Sequence, residues 1–387
     1  MKYWPLLWSN LRRRKARTIF TFLSIVVAFV LFAYLAAVRV AFRAGVDVAG
    51  ADRLFTTHKT SIIQPLPVSY LEQIARVPGV AQVTHSTWFG GIYQNPNQGF
   101  QGVFQAPVEP EKYLEMYPEF RLPEEQKRAW IEDREGAVVG RATAERFGWK
   151  VGDRIPVQGT IWRKKDGSST WEFNLRGIYD GAEKGTDTTQ FLFHYAFFDE
   201  ARQFGQGIVG WYIVRIADPA RTAEISAAID RVFENSPAET KTVTEKALAQ
   251  SFADQIGDVG EIIRYVLAAV FFTMLLVAGN TMAQSVRERT PELAVLKTVG
   301  FTNGGVLALV LGESILLAVA GGGLGLMLGA AAVGAGDPSG GFLPVFFFPG
   351  RDAVVGGFAV LALGVVTGLM PALRAMRLRI VDALRRG

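Results

Sequence analysis

Four long apolar stretches, at residues 18–40, 262–283, 306–333 and 353–373, constrain what this chain can fold into. Each is long enough to cross a hydrocarbon core of about 30 Å at roughly 1.5 Å per helical residue. No water reaches that core, so every backbone polar group there must bond internally and the stretches must be helices. The 387 residues are 49% hydrophobic with a mean hydropathy of +0.19, which suits a few spans beside a sizeable soluble domain. The formal charge is +5, and the cations gather beside the apolar stretches. Arg12, Arg13, Arg14, Lys15 and Arg17 precede the first; Arg287, Arg289 and Lys297 follow the second; Arg374, Arg377, Arg379, Arg385 and Arg386 follow the last. That pattern is the positive-inside signature. It predicts both termini in the cytoplasm and reads the charge as membrane orientation, with no nucleic acid as partner.

The predicted fold class is an α-helical membrane protein with four transmembrane helices and a large extracytoplasmic α+β domain between spans one and two. Residues 1–17 alternate Trp4, Leu7, Trp8 and Leu11 with the basic run, and read as an amphipathic helix on the inner leaflet, held by membrane lipids. The apolar run Ile19–Val38 exceeds the 7–15 residues typical of a signal-peptide core, so it reads as an uncleaved first span. Residues 43–260 carry no further span. Helices are predicted at Val68–Arg76 and Ala220–Asn235, and strands at Val80–Phe89, Gly210–Ile216 and Lys241–Thr244. Gly136–Gly159 reads as strand, helix and strand, and a β-rich section continues through Ile161–Trp162 and Trp171–Tyr179, with Asp166-Gly167 as a turn. Together these suggest a split βαβ core with a β-rich insertion, and then a helix over Glu245–Glu261 leading into the second span. Residues 334–350 form an outer loop, and 374–387 a basic cytoplasmic tail.

Glycines at 321, 325 and 329, and again at 364 and 368, recur every four residues within spans three and four. Gly321, Gly325, Gly329, Gly364 and Gly368 therefore suit close helix packing. Two polar residues lie in apolar runs: Asn280 near the end of span two and Glu313 near the start of span three. Each is open to a structural pairing or to a role in transport.

Covalent chemistry finds no support. There is no cysteine, no G-x-x-x-x-G-K-[ST], no H-E-x-x-H and no G-x-S-x-G. The three histidines, His58, His85 and His194, are far apart in sequence, so no metal site is expected. Trp88, Phe89, Tyr93, Phe100 and Phe104 are open to sheet packing or to a recognition surface.

The charged segment 285–305, SVRERTPELAVLKTVGFTNGG, sits between spans two and three. Thr290 is placed to cap a helix that begins at Pro291, and Gly300 to stop it in the left-handed region. Leu293, Leu296 and Val299 recur at helical spacing, with Glu292 and Lys297 elsewhere on the cylinder. The expectation is a short surface helix that presents a leucine ridge to a partner.

Three blocks carry a family resemblance: Leu6–Phe29, Gly279–Gly329 and Gly368–Arg386, the middle one most specifically. They resemble the MacB/FtsX-like permease subunits of ABC transporters, the type VII or mechanotransmission class. Val80–Val83 and Gly136–Ile178 are similar to the MacB-like periplasmic core. The resemblance implies a non-catalytic permease subunit in a bacterial cytoplasmic membrane, paired with a second copy or a sibling permease. It also implies a separate ATPase dimer as partner, which would bind ATP and Mg, and allows a periplasmic adaptor or lipoprotein. The ATPase-coupling role would fall to Glu288, Arg289, Thr290, Pro291, Glu292, Leu293, Leu296, Lys297 and Gly300. Two departures stand out: Pro291 replaces the basic or polar residue common in relatives, and no ATPase domain is fused within these residues. The implied function is export or extraction of a lipid, lipoprotein, peptide or drug-like substrate. The alternatives are regulatory signalling to an external hydrolase, or a ligand-sensing receptor without transport.

Overall fold

The computed structural model describes residues 15–48, 50–93, 103–183, 185–255, 259–336, 343 and 345–378. The expected N-terminal interfacial helix and Phe100 lie outside them, as do residues 379–387 of the basic tail and residues 337–342 and 344 of the loop at 334–350. Two compact units divide the chain. One holds four long apolar helices, α1 (Lys15–Val48), α9 (Val259–Glu288), α11 (Asn303–Gly334) and α12 (Gly350–Met376), with the short α10 (Thr290–Thr298) between α9 and α11. The other is a large α/β domain.

In chain order the domain runs β1 (Arg53–His58), β2 (Leu66–Pro67), α2 (Tyr70–Ala75), β3 (Val80–Ser86), β4 (Gly91–Ile92), β5 (Gln105–Val108), α3 (Pro110–Met116), β6 (Phe120–Arg121), α4 (Glu124–Glu132) and β7 (Gly136–Gly140). It continues through α5 (Arg141–Phe147), β8 (Arg154–Gly159), β9 (Thr170–Gly181), β10 (Phe191–His194), α6 (Tyr195–Ala201), β11 (Ile208–Val209), β12 (Trp211–Ile216), α7 (Thr222–Val232), β13 (Thr240–Thr244) and α8 (Glu245–Gln255). The units β1-α2-β3 and β12-α7-β13 interleave as two split βαβ motifs, giving the antiparallel order β13-β1-β12-β3. Residues 87–210 are inserted between them, and their strands extend the same sheet as β5-β10-β7-β9-β8-β4. Burial patterns follow position. Central β7, reading GAVVG, is buried throughout, whereas β8 alternates because one of its faces is solvated.

Two local expectations change. Ile161–Trp162 lie in the connection between β8 and β9, not in a strand; Trp162 is buried there, its Nε1 donating to the Trp88 carbonyl 3.3 Å away. The helix foreseen at 220–235 begins after a 3-10 turn, Pro219–Arg221, capped by the Asp218 carboxylate, and it ends before Asn235, whose φ is +62°. Helices α3 and α4 and strands β5 and β10 were not expected, because short apolar runs show little period and their packing decides them. Phe89 is fully buried, edge-on to Trp171 and Phe193, so it belongs to the sheet core.

Arg53, at the start of β1, is buried. Its Nε donates to Glu245 at 2.6 Å, its Nη2 to Glu119 at 2.6 Å and its Nη1 to the Met116 carbonyl at 3.2 Å. Burial alone would lower its pKa, but the two carboxylates outweigh that and raise it, so the guanidinium stays charged. Glu245 also accepts from the Gly50 N–H at 2.9 Å. The segment that follows α1 and the first residue of α8 thus share one carboxylate.

His85 is buried with its ring edge-on to Tyr195, and burial lowers its pKa to about 4. His194 is lowered by burial as well, its Nε2–H donating to the Trp130 carbonyl at 2.7 Å. An unfolded histidine takes up its proton near pH 6.5, whereas folded His85 does so only near pH 4. Stability is therefore intact above about pH 6.5 and declines as the pH falls, by on the order of 3 kcal/mol from His85 alone. The thermal midpoint of the domain should drop between pH 7 and pH 4.5, and His85→Phe should flatten that dependence.

In the helical unit the glycines sit where helices meet. A Cβ on Gly325 would lie 2.6 Å from the Val26 carbonyl oxygen, one on Gly321 3.0 Å from Ile25 and one on Gly329 2.6 Å from Ala33, so this stripe packs on α1. Gly364 and Gly368 face α11, where added Cβ atoms would stand 2.8 Å from Ile315 and 2.6 Å from Ser314. Ser314 Oγ donates to the Gly364 carbonyl at 2.8 Å across the same seam. Two ion pairs tie α1 to other helices: Arg17 with Glu288 of α9 at 3.0 Å, and Arg39 with Asp352 of α12 at 2.7 Å. The two arginines are 22 residues apart. That spacing spans about 33 Å of helix, close to a hydrocarbon thickness.

Candidate functional site

Helix α10 is where the sequence concentrates its signals, and the structure turns it over. Leu293 is 1% exposed and Ala294 fully buried. Leu293 packs with Val286, Val306, Val310, Ala372 and Ala375, and Leu296 is partly buried against the same cluster. The expected leucine ridge therefore belongs to the chain's own core. The small Ala294 allows α10 to lie close to its neighbours, which turns Leu293 and Leu296 inward. The outward face is Pro291, Glu292, Val295, Thr298 and Val299, with Val295 50% and Val299 76% exposed. Pro291, Val295 and Val299 are four residues apart and form one ridge.

The cap also differs. Helix α9 continues to Glu288, so Ser285–Glu288 belong to it and only Arg289 separates it from α10. Thr290 is thus already in the first turn of α10, and its hydroxyl donates back to the Val286 carbonyl at 3.2 Å instead of capping. At the other end Gly300 has φ +103°. The Phe301 N–H donates to Leu296 O at 3.0 Å and the Gly300 N–H to Lys297 O at 3.2 Å, the paired bonds of a Schellman stop. Thr302 then caps α11, accepting from the Gly305 N–H at 3.1 Å.

Polar contacts fasten α10 to both helices that follow it. Arg289 Nη1 donates to Glu313 of α11 at 2.7 Å, and Glu313 is buried. Glu292 lies 3.8 Å from the same guanidinium. Lys297 Nζ donates to the carbonyls of Met376 at 2.7 Å and Leu378 at 3.0 Å, closing the C-terminal end of α12. Glu288 accepts from Arg17 of α1 at 3.0 Å. The α10 segment is thus held to the helical unit by the Arg289–Glu313 ion pair, two Lys297–carbonyl contacts and an apolar core. Glu313, the polar residue foreseen within span three, is accounted for by Arg289. Asn280, by contrast, is exposed on α9.

Sequence reasoning missed Val295 as an outward residue and Arg17, Arg39 and Asp352 as fasteners. Ala294 was the available signal for the first, since the smallest residue of a short amphipathic helix often marks its closest approach. Among the described residues no three His, Asp or Glu side chains cluster as metal ligands.

The MacB-like periplasmic core domain family matches residues 18–232, and the FtsX-like permease C-terminal family matches residues 265–380. The uncharacterized ABC transporter permease MJ1507 of Methanocaldococcus jannaschii is 26% identical over 326 residues, covering 81% of this chain and 78% of that protein. The macrolide export ATP-binding/permease protein MacB of Nitrobacter winogradskyi is 31% identical over 224 residues, 56% of this chain and 34% of that much longer protein. Among solved structures, the periplasmic region of MacB from Actinobacillus actinomycetemcomitans aligns with 53% of this chain and 94% of its own, at 12% identity and a TM-score of 0.38. One family covers more than half of the chain and the other most of its remainder, so the chain belongs to the MacB/FtsX-like ABC transporter permeases.

Proposed function

We propose that this permease couples ATP binding and hydrolysis by a separate ATPase to movement of its α/β domain, and so exports or extracts a substrate across or from the membrane. The supporting observation is α10, a short helix whose inner face is fastened to α11 and α12 while Pro291, Val295 and Val299 face outward. An apolar ridge held so firmly suits a protein partner. In this reading the partner is the ATPase, because these residues contain no phosphate-binding loop of their own. Binding that differs between the nucleotide states would then bias the position of α10. The positive-inside pattern supports a cytoplasmic α10 and an extracytoplasmic α/β domain in this reading. The relative named for macrolide export favours an exported small molecule over signalling to an external hydrolase.

The test is biochemical. The chain should co-purify with an ATPase whose hydrolysis depends on it, and an ATPase that never associates would refute the reading. Orientation is read separately, because the chain has no cysteine. Ser168→Cys should label from outside intact cells and Thr302→Cys only after permeabilisation.

A further inference from the structure

We infer that Glu245 is a latch built to release: it pins helix α8 to the α/β domain and can let go without leaving a buried charge unpaired. The strand register sets it up. β13 is the outermost strand on its side of the sheet and pairs with β1 as Leu54↔Thr244. The next position along brings Glu245, the first residue of α8, beside Arg53. One oxygen of Glu245 accepts from Arg53 Nε at 2.6 Å and from the Gly50 N–H at 2.9 Å; the other accepts from the Tyr117 hydroxyl at 3.3 Å. The other side chains of α8 offer little grip. Among those described, residues 245–251, none is buried, and Leu248 and Ala249 are only half-buried. A surface helix ordinarily docks through a buried apolar stripe. This one docks through a carboxylate.

Arg53 is what makes release possible. Taking one partner from a buried ion pair is ordinarily strongly destabilising, because the charge left behind has no counter-ion. Arg53 is 5% exposed, but it holds two carboxylates, and the two arms are unequal. Its Nη1 and Nη2 grip both oxygens of Glu119, at 3.1 and 2.6 Å, and Nη1 also donates to the Met116 carbonyl at 3.2 Å. When Glu245 leaves, that fork remains, and the guanidinium stays neutralised while it ties β1 to the inserted residues. Glu245, already 16% exposed, passes to water. Glu119 is therefore the fixed arm and Glu245 the one that opens. Only the force that opens the latch rests on the permease reading, since α8 precedes α9 in the chain.

Thiol labelling of the full chain in permeabilised membranes tests it, with N-ethylmaleimide as the probe and no native cysteine to interfere. Ala249→Cys should label several-fold faster once Glu245→Ala is added. Glu245→Gln, which keeps an acceptor oxygen, should bring the rate part of the way back. Glu119→Gln should leave the rate unchanged, because Glu245 still holds α8. Thr57→Cys, buried on β1, should stay protected in every variant. Equal rates with and without Glu245→Ala would overturn the latch, as would an acceleration by Glu119→Gln as large as that by Glu245→Ala. A parallel rise at Thr57→Cys would overturn it too, because the domain would then be loosening as a whole. With the ATPase co-expressed, Ala249→Cys should label at different rates with and without ATP. An ATPase that binds while this rate ignores ATP would show that the latch stays shut, and so refute it. An ATPase that never associates would instead refute the permease reading, and the Glu245→Ala rate would decide the latch by itself.

Discussion

Aspartate at both Val295 and Val299 should abolish recruitment of the ATPase while the helical unit stays folded. Both side chains face outward, so neither is needed for the internal core. Burying each valine against a partner contributes about 1.5–3 kcal/mol. Losing two weakens binding on the order of 100-fold or more, and the new carboxylates add a desolvation cost. Leu293→Asp should behave in the opposite sense. Leu293 fills the core between α10, α11 and α12, where even truncation to alanine costs about 2–5 kcal/mol. A buried carboxylate costs more, and the variant should be lost to aggregation before any coupling can be assayed. Monodispersity by size exclusion and ATPase pull-down, measured on both variants, separate the two faces.

The second large effect is expected at Arg289. Its guanidinium meets the buried Glu313 carboxylate at 2.7 Å, with Glu292 at 3.8 Å. Arg289→Leu leaves Glu313 without its counter-charge and should destabilise the protein by on the order of 3–5 kcal/mol. The double variant Arg289→Leu with Glu313→Leu removes both charges and should recover most of that loss. Recovery of the unfolding midpoint without recovery of substrate-stimulated hydrolysis would assign the pair to the transmission of movement. Recovery of both would make it a structural pair only.

Much of the architecture was legible because it rests on patterns that need no partner. The four spans follow from length and hydropathy, the glycine stripes from their four-residue spacing, and one half of the split βαβ core from the strand-helix-strand run over 210–244, whereas β1 of the other half was not foreseen. What stayed hidden depends on contacts distant in sequence. The rotation of α10 is set by Val306, Val310, Ala372 and Ala375, which lie on helices that its own residues do not specify. Thr290 looked like a cap because Thr-Pro commonly starts a helix, but α9 runs on to Glu288 and leaves no turn for a cap to close. Lys297 was read as part of the ATPase-coupling surface, whereas two carbonyls 79 and 81 residues later hold it. Arg39 and Asp352 could not be paired from sequence, being 313 positions apart.

In the proposed function the outward face of α10 is the surface an ATPase grips. A photo-reactive cross-linker placed through Val299→Cys, in membranes containing the co-expressed ATPase, tests this contact. The expected result is a covalent adduct between the two chains, formed from Val299→Cys and Val295→Cys and absent from Val354→Cys, which is exposed on α12. An adduct of equal yield from Val354→Cys, or none from either α10 position while the ATPase remains bound, would contradict it.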